Sequence, residues 1–396
     1  MTWQPAAGLS PEFALVIACC AWPPGPSRTR RIHDAGRGID WNRFLVAVKR
    51  HRVEGLVHHA LVDAAIAAPR DVSDALKHRA GEIAITNLKF AGEAVRLDRL
   101  TTAAAVRATF FKGPTLAQLA YGSLVLKMAW DVDILVPPEQ LSRAARILVE
   151  AGYRQSIPAA EMGPAGLARW HDHCKESAWD NATLAIHVEL HTRLVDNPRM
   201  LTGVSAWSSH QRVALSEGVS LPTLKPDELF AYLCVHGASS AWFRLKWLAD
   251  LAALIAGCDE AEIDRLYDRS QELGADRAAA QALLLCNALF DTQLSQRLRR
   301  SLQSDWANRY LVDSAIRLMD ASPDFAEPTE RRLGTLRIHL TQFLLMKGRR
   351  FKLSEILRQS ASPHDRMRVP LPRSLDFLNL VLAPLRLVAR LGRKAR

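Results

Sequence analysis

The run from Trp130 to Val136, WDVDILV, places two aspartates one residue apart inside an apolar stretch. A carboxylate in an apolar setting is costly without a partner. Residues i and i+2 of a strand share a face, so Asp131 and Asp133 are tolerable together if a cation sits between them. A second stretch, LAIHVELHTRL at 184–194, alternates Leu184, Ile186, Val188 and Leu190 with Ala185, His187, Glu189 and His191. If the two strands are neighbours, Glu189 approaches the two aspartates. Three carboxylates on adjacent strands make a hard oxygen site suited to Mg²⁺. Two such ions about 3.5–4 Å apart hold both the attacking and the leaving oxygen of a phosphoryl transfer.

Upstream lies Lys112-Gly113-Pro114-Thr115, at a point where a short strand, TFF, turns into a helix. Glycine lets backbone approach a ligand closely, and proline suits the first helical position. The helix N-terminus offers free N–H groups to a phosphate. Lys112 adds a point charge there, and Lys127, four residues before Asp131, reaches toward the same phosphates. His171-Asp172-His173-Cys174 has ligand types but no second pair at zinc spacing, and reads as a polar loop.

The elements that must position these groups follow from periodicity. Residues 1–95 have apolar residues at three- and four-residue spacing and read as a helical region, with 23–38 as a loop. From 96 to 195 the order helix, strand, helix, strand, helix, strand describes a small α/β unit. Residues 196–345 read as helical again, and 346–396 as a basic tail. The expected fold class is therefore α/β (α+β), a small sheet domain flanked by N- and C-terminal helical regions.

Charge excludes one class of function. The chain has 396 residues and a net charge of +11, but residues 347–396 alone hold 13 Lys and Arg against 3 Asp and Glu. The body is nearly neutral, which argues against a basic groove and sequence-specific nucleic-acid binding. The tail either lies on an anionic membrane or acidic partner, or packs on its own domain, and Pro384 within it favours packing slightly. The six cysteines form no C-x-x-C pair and read as buried thiols in a reducing compartment. The apolar run at 13–22 lacks a basic flank and is too short to span a bilayer. A cytoplasmic protein is expected.

The motifs KGPTLAQLAYG, DVDILV and HVELHTRL, with LCVHGASSAWFRLKWLADL beyond them, resemble a bacterial family of uncharacterised nucleotidyltransferases within the polymerase-β-type superfamily. A D-W segment (Asp40-Trp41) and R-H-R-V (Arg50 to Val53) near the N-terminus resemble it too. The resemblance implies Mg²⁺-dependent transfer of a nucleoside monophosphate from an NTP, by default ATP, to a small-molecule, peptide or protein acceptor. It implies that Asp131, Asp133 and Glu189 bind metal and catalyse, and that Lys112, Gly113, Thr115 and Lys127 bind nucleotide. His191, His236, Lys246 and Asp250 become candidate acceptor or phosphate contacts. One departure stands out: Pro114 replaces the serine or glycine usual after the turn glycine. A phosphate contact is lost unless Thr115 or Lys112 supplies it, so a catalytically weakened binding module is the alternative reading.

Overall fold

The computed structural model describes residues 8–382, apart from 160–161, 209, 321–326, 329–332, 370, 372–374 and 376. Much of the basic tail, including Pro384 and the arginines beyond it, lies outside the described residues.

Five helices open the chain: α1 (Pro11–Cys20), α2 (Pro26–Ala35), α3 (Trp41–His51), α4 (Glu54–Asp63) and α5 (Arg70–Ala103). Proline stands at the start of α1 and α2, and the Asp40 carboxylate caps α3 by accepting from the N–H groups of Asn42 and Arg43. The stretch expected as a loop at 23–38 thus contains α2. Its periodicity is masked by a polar composition, but Ile32 and Arg28 are buried, and Arg28 Nη2 pairs with Asp63 at 2.7 Å. Helix α5 runs 34 residues, roughly 50 Å at 1.5 Å per residue, and passes unbroken through position 95.

The α/β part follows as β1 (Thr109–Phe110), α6 (Gly113–Tyr121), β2 (Val132–Leu135), α7 (Leu141–Glu150), β3 (Arg154–Ile157), α8 (Gly163–His173), β4 (Glu176–Asn181) and β5 (Ile186–His191). The five strands form one sheet in the order β1-β2-β5-β4-β3, with β2 and β5 parallel and the other pairs antiparallel. Strands β3 and β4 were not legible in the sequence. The residues of β3 are mostly exposed, and β4 reads Glu-Ser-Ala-Trp-Asp-Asn, with little apolar alternation. A hairpin, β6 (His210–Ser216) with β7 (Val219–Leu224), interrupts the region expected to be wholly helical. Its turn holds Gly218 at φ +70°, the conformation that a tight hairpin turn requires.

Helices α9 (Pro226–Ser239), α10 (Leu245–Leu254), α11 (Glu260–Glu272), α12 (Asp276–Phe290), α13 (Gln296–Ser304) and α14 (Trp306–Met319) come next, then α15 (Gly334–Gln342), α16 (Arg349–Ser360) and α17 (Pro363–Arg368). Two apolar clusters hold these parts together. In one, Val132, Ile134, Val188 and Leu190 of the sheet pack with Phe90 and Leu97 of α5 and Leu148 of α7. The other joins the chain's two helical regions: Phe13, Phe44 and Val57 from the N-terminal side pack with Phe230, Leu248 and Leu284 from the C-terminal side. Phe111, Leu116 and Leu135 enter that second cluster from the α/β part. Strand alternation therefore turns Val132 and Ile134 to one layer, and sends Asp133 toward the other.

Candidate active site

Asp133 and Glu189 are register partners across the parallel β2–β5 pair, and Leu135 faces His191 one step on. The neighbouring antiparallel pairing brings Glu176 opposite His191. The alternation read from LAIHVELH thus puts Glu189 beside Asp133, on the face opposite Val188 and Leu190. Strand β4 adds Glu176, a fourth carboxylate that the sequence did not reveal.

The Asp133 side chain is fully buried, and Lys112 Nζ lies 2.5 Å from its Oδ1 and 4.0 Å from Glu189 Oε2. His191, also fully buried, brings Nε2 within 3.3 Å of Asp133, 3.4 Å of Glu176 and 3.4 Å of Glu189. Phe111 holds that imidazole edge-on, with ring centroids 5.0 Å apart. Burial alone would push both carboxyls up, but for Asp133 the Lys112 ammonium and His191 outweigh it and hold the group below the usual range. Glu189 is held far lower by His191 and Lys112 against the same burial. His191 responds in kind: burial and Lys175 push it down, hydrogen bonding to Asp133 and Glu189 pushes it up, and the net is a rise. Asp131 sits just before β2 and goes the other way. Burial and the neighbouring Asp133 charge push it up to about 6.

Asp133, Glu189 and His191 each offer a ligand atom, and the three atoms lie within 4.8 Å of one another. Asp131 falls outside that cluster; it lines a cavity of about 260 Å³ with Glu189, Glu176 and Lys112, while Asp133 and His191 lie buried behind that wall. Asp133 Oδ1 faces the Lys112 ammonium and His191, while Oδ2 is buried without a hydrogen-bond partner among the described residues. A carboxylate-rich donor set fits a divalent cation, and oxygen donors favour Mg²⁺ while the imidazole also suits softer ions.

The turn into α6 is built around Gly113, whose φ of +57° suits glycine. Gly113 and Leu116 border the cavity, so the first turn of α6 faces it. Thr115 does not serve as expected. Its buried hydroxyl donates to the carbonyls of Phe110 and Lys112 at 2.9 and 3.0 Å, which shapes the turn and leaves nothing for a nucleotide. Helix α6 also stops at Tyr121, and 122–131 is an irregular segment rather than its continuation. Asn87 of α5 clamps this segment: its Nδ2 donates to the carbonyls of Leu124 and Lys127, and its Oδ1 accepts from the Ala129 N–H.

That clamp sets Lys127, whose ammonium lies 3.5 Å from the buried Asp250. Asp250 also accepts from the Tyr121 hydroxyl at 3.0 Å, so it anchors Lys127 from behind. Lys246 shares α10 with Asp250, but among the described residues no carboxylate lies within ion-pair distance of it. Burial and Lys127 push its ammonium down to about 7. His236 borders the cavity, packed between Tyr232 and Trp247, and burial with Lys112 keeps it neutral.

Two cations at the site were missed. Lys175 stands beside Glu176 and pairs with it. Arg52 was visible in R-H-R-V, where the three side chains divide their roles. Arg50 donates to the carbonyls of Phe243, Leu318 and Met319, and His51 Nδ1 accepts from the Leu245 N–H at 3.0 Å. These two fasten α3 to the C-terminal helices and leave Arg52 at the cavity wall over the Trp130 ring, 4.6 Å from its centroid. The stretch at 171–174, expected as a polar loop, instead ends α8, where His171 is buried between Thr192 and Ser177 and pushed down to about 3 by burial.

A parallel strand pair with acidic groups in register, a glycine turn into a helix beside them and a cavity walled by lysines define a protein of the nucleotidyltransferase class. The chain belongs to the family described as "Uncharacterised nucleotidyltransferase", whose sequence profile matches residues 37–291. No curated protein matches the chain. The matched span takes in α3, with Arg52, as well as β2, β5 and α10.

Proposed function

We propose that the protein transfers a nucleoside monophosphate from an NTP, by default ATP, to an acceptor hydroxyl. The acceptor oxygen forms a bond to the α-phosphorus as the bond to the bridging oxygen breaks, and pyrophosphate leaves. The observation that carries this reading is the register pairing of Asp133 with Glu189, with Asp131 sharing a cavity wall with Glu189.

Asp131, Asp133 and Glu189 would hold Mg²⁺, which when bound supplies charge to the α-phosphate and orients the displacement. Glu189, ionised at neutral pH, accepts the acceptor's proton or completes the metal shell. Lys127 and Lys246 line the path of the β- and γ-phosphates beside the first turn of α6. Lys112 lies against Asp133 and neutralises the carboxylates. It therefore has to yield its place as a divalent cation enters. His191 Nε2 lies within 3.4 Å of Asp133, Glu176 and Glu189, and His191 acts as their positioning group rather than as an acceptor contact.

One observation favours the weaker alternative. Pro114 lacks an N–H, and the Thr115 hydroxyl is turned inward, so the turn offers fewer donors to phosphate. A nucleotide-binding module with little turnover would share this architecture. Calorimetry with the four NTPs, with and without Mg²⁺, tests the site first. Pyrophosphate release in the presence of acceptor mixtures then separates enzyme from binding module. Nucleotide binding that persists in the Asp131→Asn/Asp133→Asn protein, or without Mg²⁺, would overturn the reading.

A further inference from the structure

We propose that the nucleoside half of the donor occupies a second cavity, against the exposed ring of Trp130, where the Glu54 carboxylate accepts a hydrogen bond from it. This rests on the nucleotidyl-transfer reading and adds the place where the donor's base and sugar are read.

The cavity measures about 630 Å³ and meets the site cavity across Arg52, Met128 and Trp130, which line both. The site cavity is about 260 Å³, below the roughly 300–1,000 Å³ of pockets that enclose a drug-sized ligand. Its lysines suit the phosphates, so the nucleoside has to extend beyond it. On the far side, past Lys175 and His236, the adjoining space is only about 90 Å³. The cavity past Trp130 has the room, and Trp130, which lines both cavities, directly precedes Asp131 in the site cavity.

Trp130 precedes Asp131 directly and is 48% exposed, unusual for a tryptophan at the edge of a buried site. Arg52 lies over one face of its ring at 4.6 Å, which fixes the indole plane and leaves the opposite face to a ligand. Arg52 itself is held at φ +57°, at the C-terminal cap of α3. An exposed aromatic face backed by a guanidinium is a surface on which proteins stack bases.

Glu54 supplies the polar half of the subsite. It is 5% exposed and borders the cavity. Arg79 Nε reaches its Oε1 at 3.4 Å, whereas its buried Oε2 has no hydrogen-bond partner among the described residues. A buried orphaned carboxylate oxygen calls for a donor. A nucleoside offers two kinds, the exocyclic amine of its base and the hydroxyls of its ribose. The cavity is not built as an anion trap, since most of its cations are committed: Arg50 to backbone carbonyls, Arg79 to Glu54 and Glu82, Arg244 to Glu327.

Calorimetry on the full chain with Mg²⁺ tests this, using α,β-methylene-ATP and inorganic tripolyphosphate as probes. Wild type should bind the nucleotide more tightly than tripolyphosphate. Trp130→Ala and Glu54→Gln should each weaken the nucleotide by about tenfold or more and leave tripolyphosphate unchanged. The Trp130 ring is half exposed, so its removal keeps the fold even if Glu54→Gln disturbs packing. On wild type, weaker binding of ITP than ATP identifies the base amine as the Glu54 partner, and weaker binding of dATP identifies the ribose. If neither is weaker, the Glu54 assignment falls. Unchanged nucleotide affinity in Trp130→Ala, or equal affinity of wild type for nucleotide and tripolyphosphate, overturns the subsite while the transfer reading stands. Wild type that binds neither probe overturns the transfer reading itself.

Discussion

Asp131 and Asp133 stand two residues apart, yet the fold treats them oppositely. Asp133 is compensated by Lys112 and His191, whereas Asp131 is pushed up to about 6 by burial and by Asp133. Without metal, a raised carboxyl means that the folded state binds protons more readily than the unfolded one. Stability contributed by Asp131 therefore falls as pH rises from about 4 to about 6, and the deficit is complete above 6. Asp131→Asn should raise Tm at pH 7 in metal-free buffer, by roughly 2–3 kcal/mol in stability, and the gain should vanish near pH 4. Asp133→Asn should instead cost about 3–5 kcal/mol at pH 7, because Lys112 and His191 stay buried without their carboxylate. Thermal melts of both variants across pH 4–8 check the contrast. Lys246 gives a third case. Its ammonium is pushed down to about 7, so the unfolded chain holds the extra proton between pH 7 and the normal lysine range, and stability rises with pH there. Lys246→Met should be stabilising at pH 6, less so at pH 9, and should weaken triphosphate binding at pH 6, as melts and calorimetry at the two pH values would read.

At the scale of elements, the site depends on an irregular segment held from behind. Residues 122–131 carry Lys127 and lead into Asp131, and their shape comes from the Asn87 clamp and from the approach of α4. A Cβ on Gly55 would meet the Leu126 carbonyl at 2.4 Å. Asn87→Ala should cost about 1–3 kcal/mol, because two carbonyls and one N–H lose their partner. It should also lower kcat/KM for the NTP, since Lys127 and Asp131 lose their position. Gly55→Ala should act through the same segment. Restoration of kcat/KM by Asn87→Gln but not by Asn87→Asp, which cannot donate to the two carbonyls, would trace the effect to the hydrogen bonds, whereas a loss of Tm with kinetics unchanged would argue that the clamp is only structural. In the sequence, Asn87 is one polar residue in a long helix, and nothing marks it.

At the scale of the whole molecule, the helical regions before and after the sheet share one apolar cluster, and the sheet contributes Phe111, Leu116 and Leu135 to it. Asp133 faces that shared layer, so the site exists only when all three parts are assembled. Residues 96–195 produced alone should fail to fold, with little far-UV CD signal at 25 °C and no cooperative melt, because one face of their sheet would be left bare. The full chain should melt in a single transition, which calorimetric scanning would check. A stable isolated fragment with a cooperative melt would contradict this account.

Sequence by itself determined what is local. The period of two along LAIHVELH put Glu189 and His191 on the face opposite Val188 and Leu190, D-x-D marked the acidic strand beside them, and Lys112-Gly113 marked the turn. These are strong because alternation and glycine geometry depend only on neighbouring residues. The chain's strand order, Glu176 and Lys175 on β4, the inward turn of Thr115, the reach of Lys112 to Asp133, the pairing of Lys127 with Asp250 and the place of Arg52 beside Trp130 were decided only by tertiary structure. Each is a contact between residues far apart in the chain or a choice between competing hydrogen bonds, and the physical reason is the same throughout: where a long side chain ends is set by the charge, the cavity and the orphaned acceptor it meets across the fold, not by its neighbours in sequence.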